Sequence, residues 1–595
     1  MPLKEFYQAR INAYQQKADK LQLLENRLST ARLITFVCIF LFFFFLQSFS
    51  ITLAVTASVT CIIAFGILIR QYTETEKLKE YNHHLVDINT LELKSLAGDS
   101  SKFADGSEFI DRDHPNSYDL DLFGHASVFQ FLNRTSSIPG ATMLARWLME
   151  PAVPDEIRLR QQAIAALKPE IDWRQKMMTV GHFTRHTLNN PGELLAWMTR
   201  KNEFPGVRHL KILTAGLSTL LGITITVTLI AGLPVALLLP VLLINFLFYF
   251  SQGTKINRLH QQVSKSADLI KTYAEIINMI EEKEFETDKL RSLRLHVKGH
   301  PSASEAINLL SKQVGRLDTR LNIMVSIPLN LFFFWDIHCC LALEKWKQQH
   351  AGDINRWLAV MAEFEVLNSV ANMAYNNPLW VMPEIVSGYF TIQAKNAGHP
   401  LIPDHRRILN DIDINGSGRI VIVTGSNMSG KSTFLRTCGV NAVLALAGAP
   451  VCATSFTLSH VQVISSMRIS DSLEDNTSSF YAELKKLATI IQKAGKHREV
   501  FILLDEILRG TNSNDRFTGS VALIRQLIGY DTVAMVATHD LKLADLEKEI
   551  PGNIDNYHFD VKIDKEELYF DFKLNPGVCK SMNASILMKK MGIRI

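Results

Sequence analysis

The sequence predicts a multidomain protein, with an α-helical region that carries two transmembrane helical hairpins and a C-terminal α/β domain with a mostly parallel sheet. Its 595 residues favour two to four domains. Two long segments, residues 33–69 and 212–254, contain no charged side chain. After Gly398, short apolar strands alternate with glycine-rich turns and helical patterns, as in a parallel α/β domain.

Composition narrows the class of protein. The formal net charge is only +4, so bulk charge alone does not predict a nucleic-acid partner. The seven cysteines form no Cys-x-x-Cys pair, and their number is odd. This pattern indicates neither a disulfide framework nor a zinc site, and it favours a reducing compartment.

Each uncharged segment is long enough for two membrane helices, since one crossing takes about 20 apolar residues. The turns are expected near Gln47–Ser50 and Ala231–Pro234. Lys and Arg flank both outer ends of each segment and are missing from the inner turns, which predicts hairpins with both ends in the cytoplasm. We therefore expect a multi-pass protein of the cytoplasmic (inner) membrane, with its soluble domains and termini in the cytoplasm and no cleaved signal peptide. The alternative is that these runs are buried core helices.

A third apolar run, Met324–Leu343, contains Asp336 and His338. Ionisable side chains are costly in lipid, so this run is predicted to be a buried helix of a soluble core. Residues 71–118 are polar and are predicted to form a linker. Helical patterns follow over residues 120–201, 261–280 and 358–374.

A glycine-rich loop, GSNMSGKST, follows the apolar run Ile420–Val423. Its Gly-x4-Gly-Lys-Ser spacing is typical of a loop whose backbone N–H groups surround phosphate oxygens at a helix N-terminus. Lys431 would reach the β- and γ-phosphates of ATP, and the Ser432 hydroxyl would bind Mg²⁺. The predicted ATP-binding residues are Gly425, Ser426, Asn427, Met428, Ser429, Gly430, Lys431, Ser432 and Thr433.

Two further strands end in polar residues. The run Val500–Ile507 is an apolar strand that ends in Asp505 and Glu506, at the edge where α/β sheets bind ligands. Asp505 would hold Mg²⁺ through water, and Glu506 would orient or deprotonate the attacking water. A later strand ends in His539, which would sense the γ-phosphate. The alternative is a solvated strand end, but together with the loop these residues predict ATP hydrolysis.

The segment between loop and acidic strand indicates the family. It reads RISDSLEDNTSSFYAELKKLATII and contains no Leu-Ser-Gly-Gly-Gln, which disfavours a transporter cassette. With TGSNMSGKST, DEILRGTNSNDR and ATHD, it resembles the ATPase domain of the MutS mismatch-repair family. Similarity continues upstream, in DLFGHASVFQFLNRTSSIPGATMLARWLMEP and GHPLI, and downstream in LYFDFKLNPGVCKSMNASILMKKMGI.

The resemblance implies three regions: residues 1–118 with the first hairpin (about 33–69) and the linker, a helical core and lever domain over 119–395 interrupted by the second hairpin (about 212–254), and an ATPase domain over 396–595. It also implies a homodimer formed through the ATPase domains, in which Ser478 touches the γ-phosphate of the partner. The alternative role for Ser478 is a helix cap.

The chain also departs from the family pattern. No phenylalanine is followed two residues later by glutamate, the motif with which mismatch-reading members contact a mispair, so direct mismatch reading is not expected. Leu508 replaces a usual glycine, and Glu474–Thr477 replaces a small turn that contains glycine. A basic stretch is either a solvated face or a weak, sequence-independent contact with DNA phosphates; it comprises Arg291, Arg294, His296, Lys298, His300, Lys312, Arg316 and Arg320.

The leading hypothesis is a membrane-anchored, nucleotide-gated dimeric ATPase of the MutS family, bound to the lipid bilayer, with ATP and Mg²⁺ as cofactors and DNA as a partner. The first alternative is a membrane-remodelling or transport-coupled ATPase without a nucleic-acid role. The second is a scaffold that binds ATP and turns it over slowly.

Overall fold

The computed structural model describes residues 2–182, 192–204, 207–264, 267–426, 428–468, 479–496, 499–564 and 567–579. Its helices are α1 (Leu3–Leu46), α2 (Ile51–Leu96), α3 (Val128–Leu132), α4 (Ile138–Met149), α5 (Pro154–Leu167), α6 (Ile171–His182), α7 (Gly192–Thr199), α8 (Val207–Ile230), α9 (Leu238–Val263), α10 (Ala267–Glu282), α11 (Asp288–Val297), α12 (Ala303–Asp318), α13 (Ile323–Phe333), α14 (Trp335–His350), α15 (Ile354–Asn376), α16 (Lys431–Ala447), α17 (Ser479–Lys496), α18 (Ser513–Gly529) and α19 (Leu546–Glu549).

The strands are β1 (Glu384–Val386), β2 (Thr391–Ala397), β3 (Asn410–Asn415), β4 (Ile420–Gly425), β5 (Ser455–Ser459), β6 (Gln462–Ser466), β7 (Val500–Asp505), β8 (Val533–Thr538), β9 (Ile554–Asp564) and β10 (Glu567–Pro576).

The chain divides into two compact units. Unit 1 comprises Met1–Arg134, Met143–Ile171 and Leu367–Ile595, and unit 2 comprises Thr135–Thr142 and Asp172–Val366. The boundaries of these units differ from those of the three regions predicted from the sequence. The division into three regions stays a prediction.

Unit 1 contains a mixed six-stranded sheet with the order β10-β9-β4-β8-β7-β6. Its neighbours from β9 to β6 pair in parallel, and β9–β10 is antiparallel. Every residue of β4, β7 and β8 is buried, because helices cover a parallel sheet on both faces. A second sheet, with the order β1-β5-β2-β3, is antiparallel except between β1 and β5, and the sequence patterns did not indicate it.

Unit 1 also contains the first hairpin. Helices α1 and α2 are joined by a short turn over residues 47–50, where the sequence predicted it. Their apolar halves expose large side chains such as Phe40 and Phe44, whereas the polar halves pair through a contact of 2.5 Å between Lys79 Nζ and Glu25 Oε2. Residues 71–96 continue α2 and are not part of a linker. Apolar positions of this half, among them Leu85 and Ile88, pack inside the unit, and this packing stabilises helix in a polar sequence.

Unit 2 is helical and contains the second hairpin, α8 and α9, with its turn at residues 231–234 as predicted. Among the described residues, four helices are long and apolar enough to cross a membrane: α1, α2, α8 and the segment Val235–Val263 that includes α9.

The third apolar run, Met324–Leu343, is predicted to form one buried helix, but in the structure it belongs to two helices, α13 and α14. Phe334 has a φ of 50°, in the left-handed region, and the chain bends by 81° between α13 and α14. Helix α14 is buried as expected, with Cys340 and Leu341 fully enclosed, but α13 exposes most of its apolar side chains. Apolar content alone does not distinguish a core helix from an exposed apolar one, which is why the prediction was wrong for α13.

Candidate nucleotide site

The loop after β4 has backbone conformations that require glycine at two positions. Gly425 and Gly430 have φ values of 152° and 105°, in the region that favours glycine. A Cβ at Gly425 would lie 2.8 Å from Ser429 Oγ, and one at Gly430 would lie 3.0 Å from the ring of Phe572. The strand before the loop and the helix after it are confirmed, since β4 ends at Gly425 and α16 begins at Lys431.

Lys431 is buried at the start of α16. Its Nζ donates to the carbonyl oxygen of Gly425 at 2.8 Å and to that of Ser426 at 2.9 Å. Burial lowers the pKa of this ammonium, while the nearby carboxylates of Glu506 and Asp505 act in the opposite direction. Lys431 therefore contacts two carbonyl oxygens of the loop. From this position, its ammonium group can contact an anion bound in the loop instead.

Ser432 and Asp505 are brought together from α16 and the end of β7. Burial raises the pKa of the Asp505 carboxyl, and the nearby Ser432 hydroxyl acts in the opposite direction. Asp505 Oδ1 and Ser429 Oγ are both buried without a hydrogen-bond partner among the described residues. Two unpaired polar atoms beside a glycine-lined loop fit a group that supplies the missing bonds, as Mg²⁺ and a phosphate oxygen do.

Glu506 follows Asp505 in a left-handed conformation, with φ 51°, and its N–H donates to the carbonyl of Ala537 on the neighbouring strand at 2.9 Å. Its Oε1 lies 3.6 Å from Nδ1 of His539, and its Oε2 lies 3.3 Å from Nε of Arg509. Nη1 of Arg516 lies 3.4 Å from Nε2 of His539, and Nδ1 of the same ring faces Glu506.

The backbone after Glu506 is held by α17. Glu483 is buried and accepts a hydrogen bond from the N–H of Leu508. Leu508 has a φ of 60°, which explains why the family pattern has glycine there; here a leucine adopts the strained conformation and buries its side chain.

A cavity of about 220 Å³ opens beside the loop, and the sequence patterns did not reveal it. Its lining includes Gly430, Thr433 and Phe434 from loop and helix, with His399, Phe559 and Phe572 from other strands and loops. Phe572 lies in the irregular part of β10 between Phe570 and Leu574, with a φ of 52°. Its contact with Gly430, 142 positions earlier in the chain, cannot be read from local sequence.

The predicted site residues fall into two groups. Gly425, Ser426, Met428, Ser429, Gly430, Lys431, Ser432 and Thr433 form one loop and helix start, and Asp505, Glu506 and His539 lie at the ends of neighbouring strands β7 and β8. Asn427 and Ser478 lie outside the described residues, as do Glu474–Thr477. The assigned chemical roles stay predictions.

These features define an α/β domain in which a glycine loop joins a buried central strand to a helix and faces a neighbouring strand that ends in two acids. Residues 421–591 match the family model MutS domain V. The DNA mismatch repair protein MutS of Fusobacterium nucleatum is 33% identical over 229 residues, which cover 37% of this chain and 25% of that protein. MutS protein homolog 4 of Homo sapiens is 30% identical over 215 residues, covering 34% and 22% respectively. The DNA mismatch repair protein MutS of Persephonella marina is 31% identical over 236 residues, covering 39% and 26%.

The C-terminal region of the chain is therefore similar to the MutS family, as the sequence motifs predicted. The matched segment spans about a quarter of the length of these relatives.

Proposed function

We propose that the chain is a membrane-anchored ATPase that binds and hydrolyses ATP in a nucleotide-gated homodimer. The observation that carries the proposal is the convergence of Lys431, the Ser432–Asp505 pair and Glu506 at one end of a buried parallel sheet. Amide groups of the loop and the N-terminus of α16 would bind the phosphates, and the Lys431 ammonium would exchange its two carbonyl contacts for phosphate oxygens.

The donor set fits Mg²⁺, which prefers oxygen ligands and is usually held by few protein groups together with phosphates and water. Ser432 and Asp505 would hold this ion, which neutralises phosphate charge when bound. Glu506 would accept the proton of the attacking water, and its φ of 51° turns its side chain away from the direction of the strand. His539, whose Nδ1 faces this carboxylate, would keep Glu506 oriented.

The 220 Å³ cavity fits a purine base beside the phosphate loop. Phe572 and Phe559 offer aromatic rings, and Asn410 holds β10 beside the cavity by donating to the carbonyl of Phe572 at 3.1 Å and accepting from the N–H of Leu574 at 2.9 Å. An adenine base in this cavity would lie on the Phe572 side of Gly430, where a Cβ would not fit.

Membrane anchoring is supported by the two hairpins. Their uncharged halves expose phenylalanine, leucine and isoleucine side chains, which water does not favour over large areas. Lys and Arg at the outer ends favour the cytoplasmic side of the inner membrane for both termini.

A DNA partner is supported by the relatives, two of which are named DNA mismatch repair proteins. In unit 2, Arg291, Lys298, Lys312 and Arg316 of the basic stretch are exposed, while Arg294 donates to the carbonyl of Glu281. Contacts of this kind give weak binding without sequence preference. Arg320 of the stretch pairs with Asp336 within unit 2, so part of the basic stretch is already neutralised by the protein. The second candidate is therefore a membrane-remodelling or transport-coupled ATPase without a nucleic-acid role.

The decisive experiment is Mg-dependent ATP hydrolysis by the full chain in detergent or nanodiscs, with and without homoduplex, mismatched and branched DNA. Glu506→Gln should keep ATP binding and lower the turnover rate by at least about 100-fold, the scale of general-base catalysis. Glu549→Gln, at an exposed acid on α19, is the matched control and should turn over normally. Unchanged turnover in Glu506→Gln would reject the assigned role, and hydrolysis that ignores every DNA would favour the second candidate.

A further inference from the structure

Helix α13 combines an apolar surface with a position against the second hairpin. From Leu321 to Trp335 the sequence has no charged residue, and this run is bounded by Arg320 and Asp336. Met324 is 86% exposed, Ile323 69% and Ile327 60%. The helix packs against both α8 and α9 within unit 2. An exposed apolar helix face is unfavourable in water, so we expect another molecule to cover it.

We propose that α13 is a re-entrant helix that enters the lipid beside α8 and α9 without crossing it, so that acyl chains cover Met324 and Ile327. The inference rests on the proposed membrane anchoring of the second hairpin. The occupant is lipid, because α13 packs against α9, whose uncharged segment also exposes Leu243 and Phe246.

Length excludes a complete crossing. The eleven residues of α13 give a helix of about 16 Å, roughly half the hydrocarbon thickness of a bilayer. Helix α14 cannot complete a span, because most of its side chains are enclosed by protein: Trp346 is buried and its indole N–H donates to the carbonyl of Ala306 at 2.7 Å.

Contacts with α9 give the depth of α13. Before α13 begins, Arg320 Nη2 donates to Asn257 Oδ1 at 2.5 Å, level with the charged end of the hairpin. Near its end, the carbonyl of Leu331 accepts from Asn245 Nδ2 at 2.9 Å. Asn257 and Asn245 are separated by about 18 Å along α9, so Leu331 lies beside the uncharged segment of the hairpin. Just after α13, the indole N–H of Trp335 donates to the carbonyl of Arg316 at 2.9 Å, so the chain returns towards the charged end at the bend.

The bend at the end of α13 is enclosed by protein. Phe334, where the helix breaks, is fully buried, and irregular backbone at membrane depth is tolerated only when protein encloses it. The N–H of Asp336 donates to Asn330 Oδ1 at 2.8 Å. The Asp336 carboxylate accepts from the Tyr249 hydroxyl at 2.8 Å and lies 3.4 Å from Arg320 Nε. The bend thus contacts α9 through Asp336 and Tyr249, whereas Ile323, Met324 and Ile327 earlier in α13 are exposed.

The test places the photoreactive amino acid benzoylphenylalanine at Met324 or Ile327 of the full chain in phosphatidylcholine nanodiscs, and identifies cross-linked products by mass spectrometry. Phe246 on α9 is the control for membrane residence, and Leu295, an exposed leucine on α11, is the control for water. Each variant is used only if its size-exclusion profile and ATP binding match those of the unsubstituted chain.

Lipid adducts at Met324, Ile327 and Phe246 but not at Leu295 are expected. Adducts at Phe246 alone would overturn the re-entrant helix and leave the membrane anchor standing. Cross-links from Met324 to a second copy of the chain or to another protein would overturn it as well. Loss of adducts at Phe246 too would reject the anchor and the inference together.

Discussion

The ammonium of Lys431 lies 2.8 Å from the carbonyl oxygen of Gly425, the residue that ends the strand before the loop. The Lys431 side chain is therefore held over the loop by the backbone carbonyl of Gly425, at the end of β4. A bound triphosphate would compete for the same ammonium with oxygens that carry full charge, which form stronger hydrogen bonds than carbonyls.

Replacing this lysine should weaken nucleotide binding. Lys431→Ala is expected to raise the Kd for Mg-ATP by about 10- to 100-fold, because a hydrogen bond to a charged group contributes about 1.5–3 kcal/mol. Equilibrium binding of a fluorescent ATP analogue measures the effect. Lys548→Ala, at an exposed lysine of the same region, should leave the Kd unchanged. Equal affinities for the two variants would remove Lys431 from the phosphate site.

Phe572 is expected to contribute to binding of the base only. Phe572→Ala should raise the Kd for ATP by about 3- to 10-fold, since an aromatic stacking contact contributes about 0.5–1.5 kcal/mol. Inorganic triphosphate has no base, so its inhibition constant should stay the same. Tyr569→Ala, at an exposed tyrosine on the same strand, is the control. A parallel loss of triphosphate binding would show that Phe572 acts through the loop at Gly430.

His399 should make the stability of the fold sensitive to acid. Burial lowers its pKa to about 4, with the Arg436 and Arg407 cations acting in the same direction and Asp121 opposing them. The unfolded chain takes up this proton below about pH 6.5 and the folded chain does so only near pH 4. Stability is therefore complete above pH 6.5 and falls between pH 6.5 and 4, by about 3 kcal/mol at most.

Thermal unfolding of His399→Gln between pH 7.5 and 4.5 measures this contribution, because glutamine can accept the Leu401 N–H bond without titrating. The variant should show a flatter profile in that window. His405→Gln, at an exposed histidine, should keep the slope of the unsubstituted chain. An identical slope in all three proteins would mean that another group titrates.

The buried pair of Glu92 and Arg134 should be a major contributor to the stability of unit 1. Glu92 Oε1 accepts from Arg134 Nε at 2.5 Å, and Glu92 Oε2 accepts from Asn376 Nδ2 at 2.8 Å. Glu92→Ala leaves a buried guanidinium unpaired, which should cost about 3–5 kcal/mol of unfolding free energy. Thermal unfolding in detergent measures the loss.

Replacing both partners by methionine should recover much of that loss, because the burial of an unpaired charge is then removed. Glu150→Ala, which breaks the exposed pair with Arg146, should change stability by less than about 1 kcal/mol. A loss in the double variant as large as in Glu92→Ala would mean that shape, and not the unpaired charge, sets the cost.

Local sequence predicted the parts of the site that depend on local backbone. Gly425 and Gly430 are needed where φ is positive, and Asp505 ends a strand made of buried apolar residues. Spacing sets these positions, so the loop, the following helix and the acidic strand end could be located in advance. The turns of both hairpins could also be located from local sequence.

Long-range packing set the features that local sequence did not reveal. The polar half of α2 remains helical because Leu85 and Ile88 pack inside unit 1. Phe572 reaches Gly430 from a strand far along the chain. The break at Phe334 separates an enclosed helix from an exposed one, although both parts of the run are apolar. In each case the decisive partner lies outside any local sequence window.

Helix α2 continues without a break through its 46 residues, about 69 Å of helix. Near the end of α2, Glu92 is fixed to Arg134 and Asn376. Because the helix is continuous, no flexible segment of unit 1 separates Glu92 from the apolar half of α2. Any displacement of Glu92 would therefore reach the first hairpin as a tilt of the whole of α2.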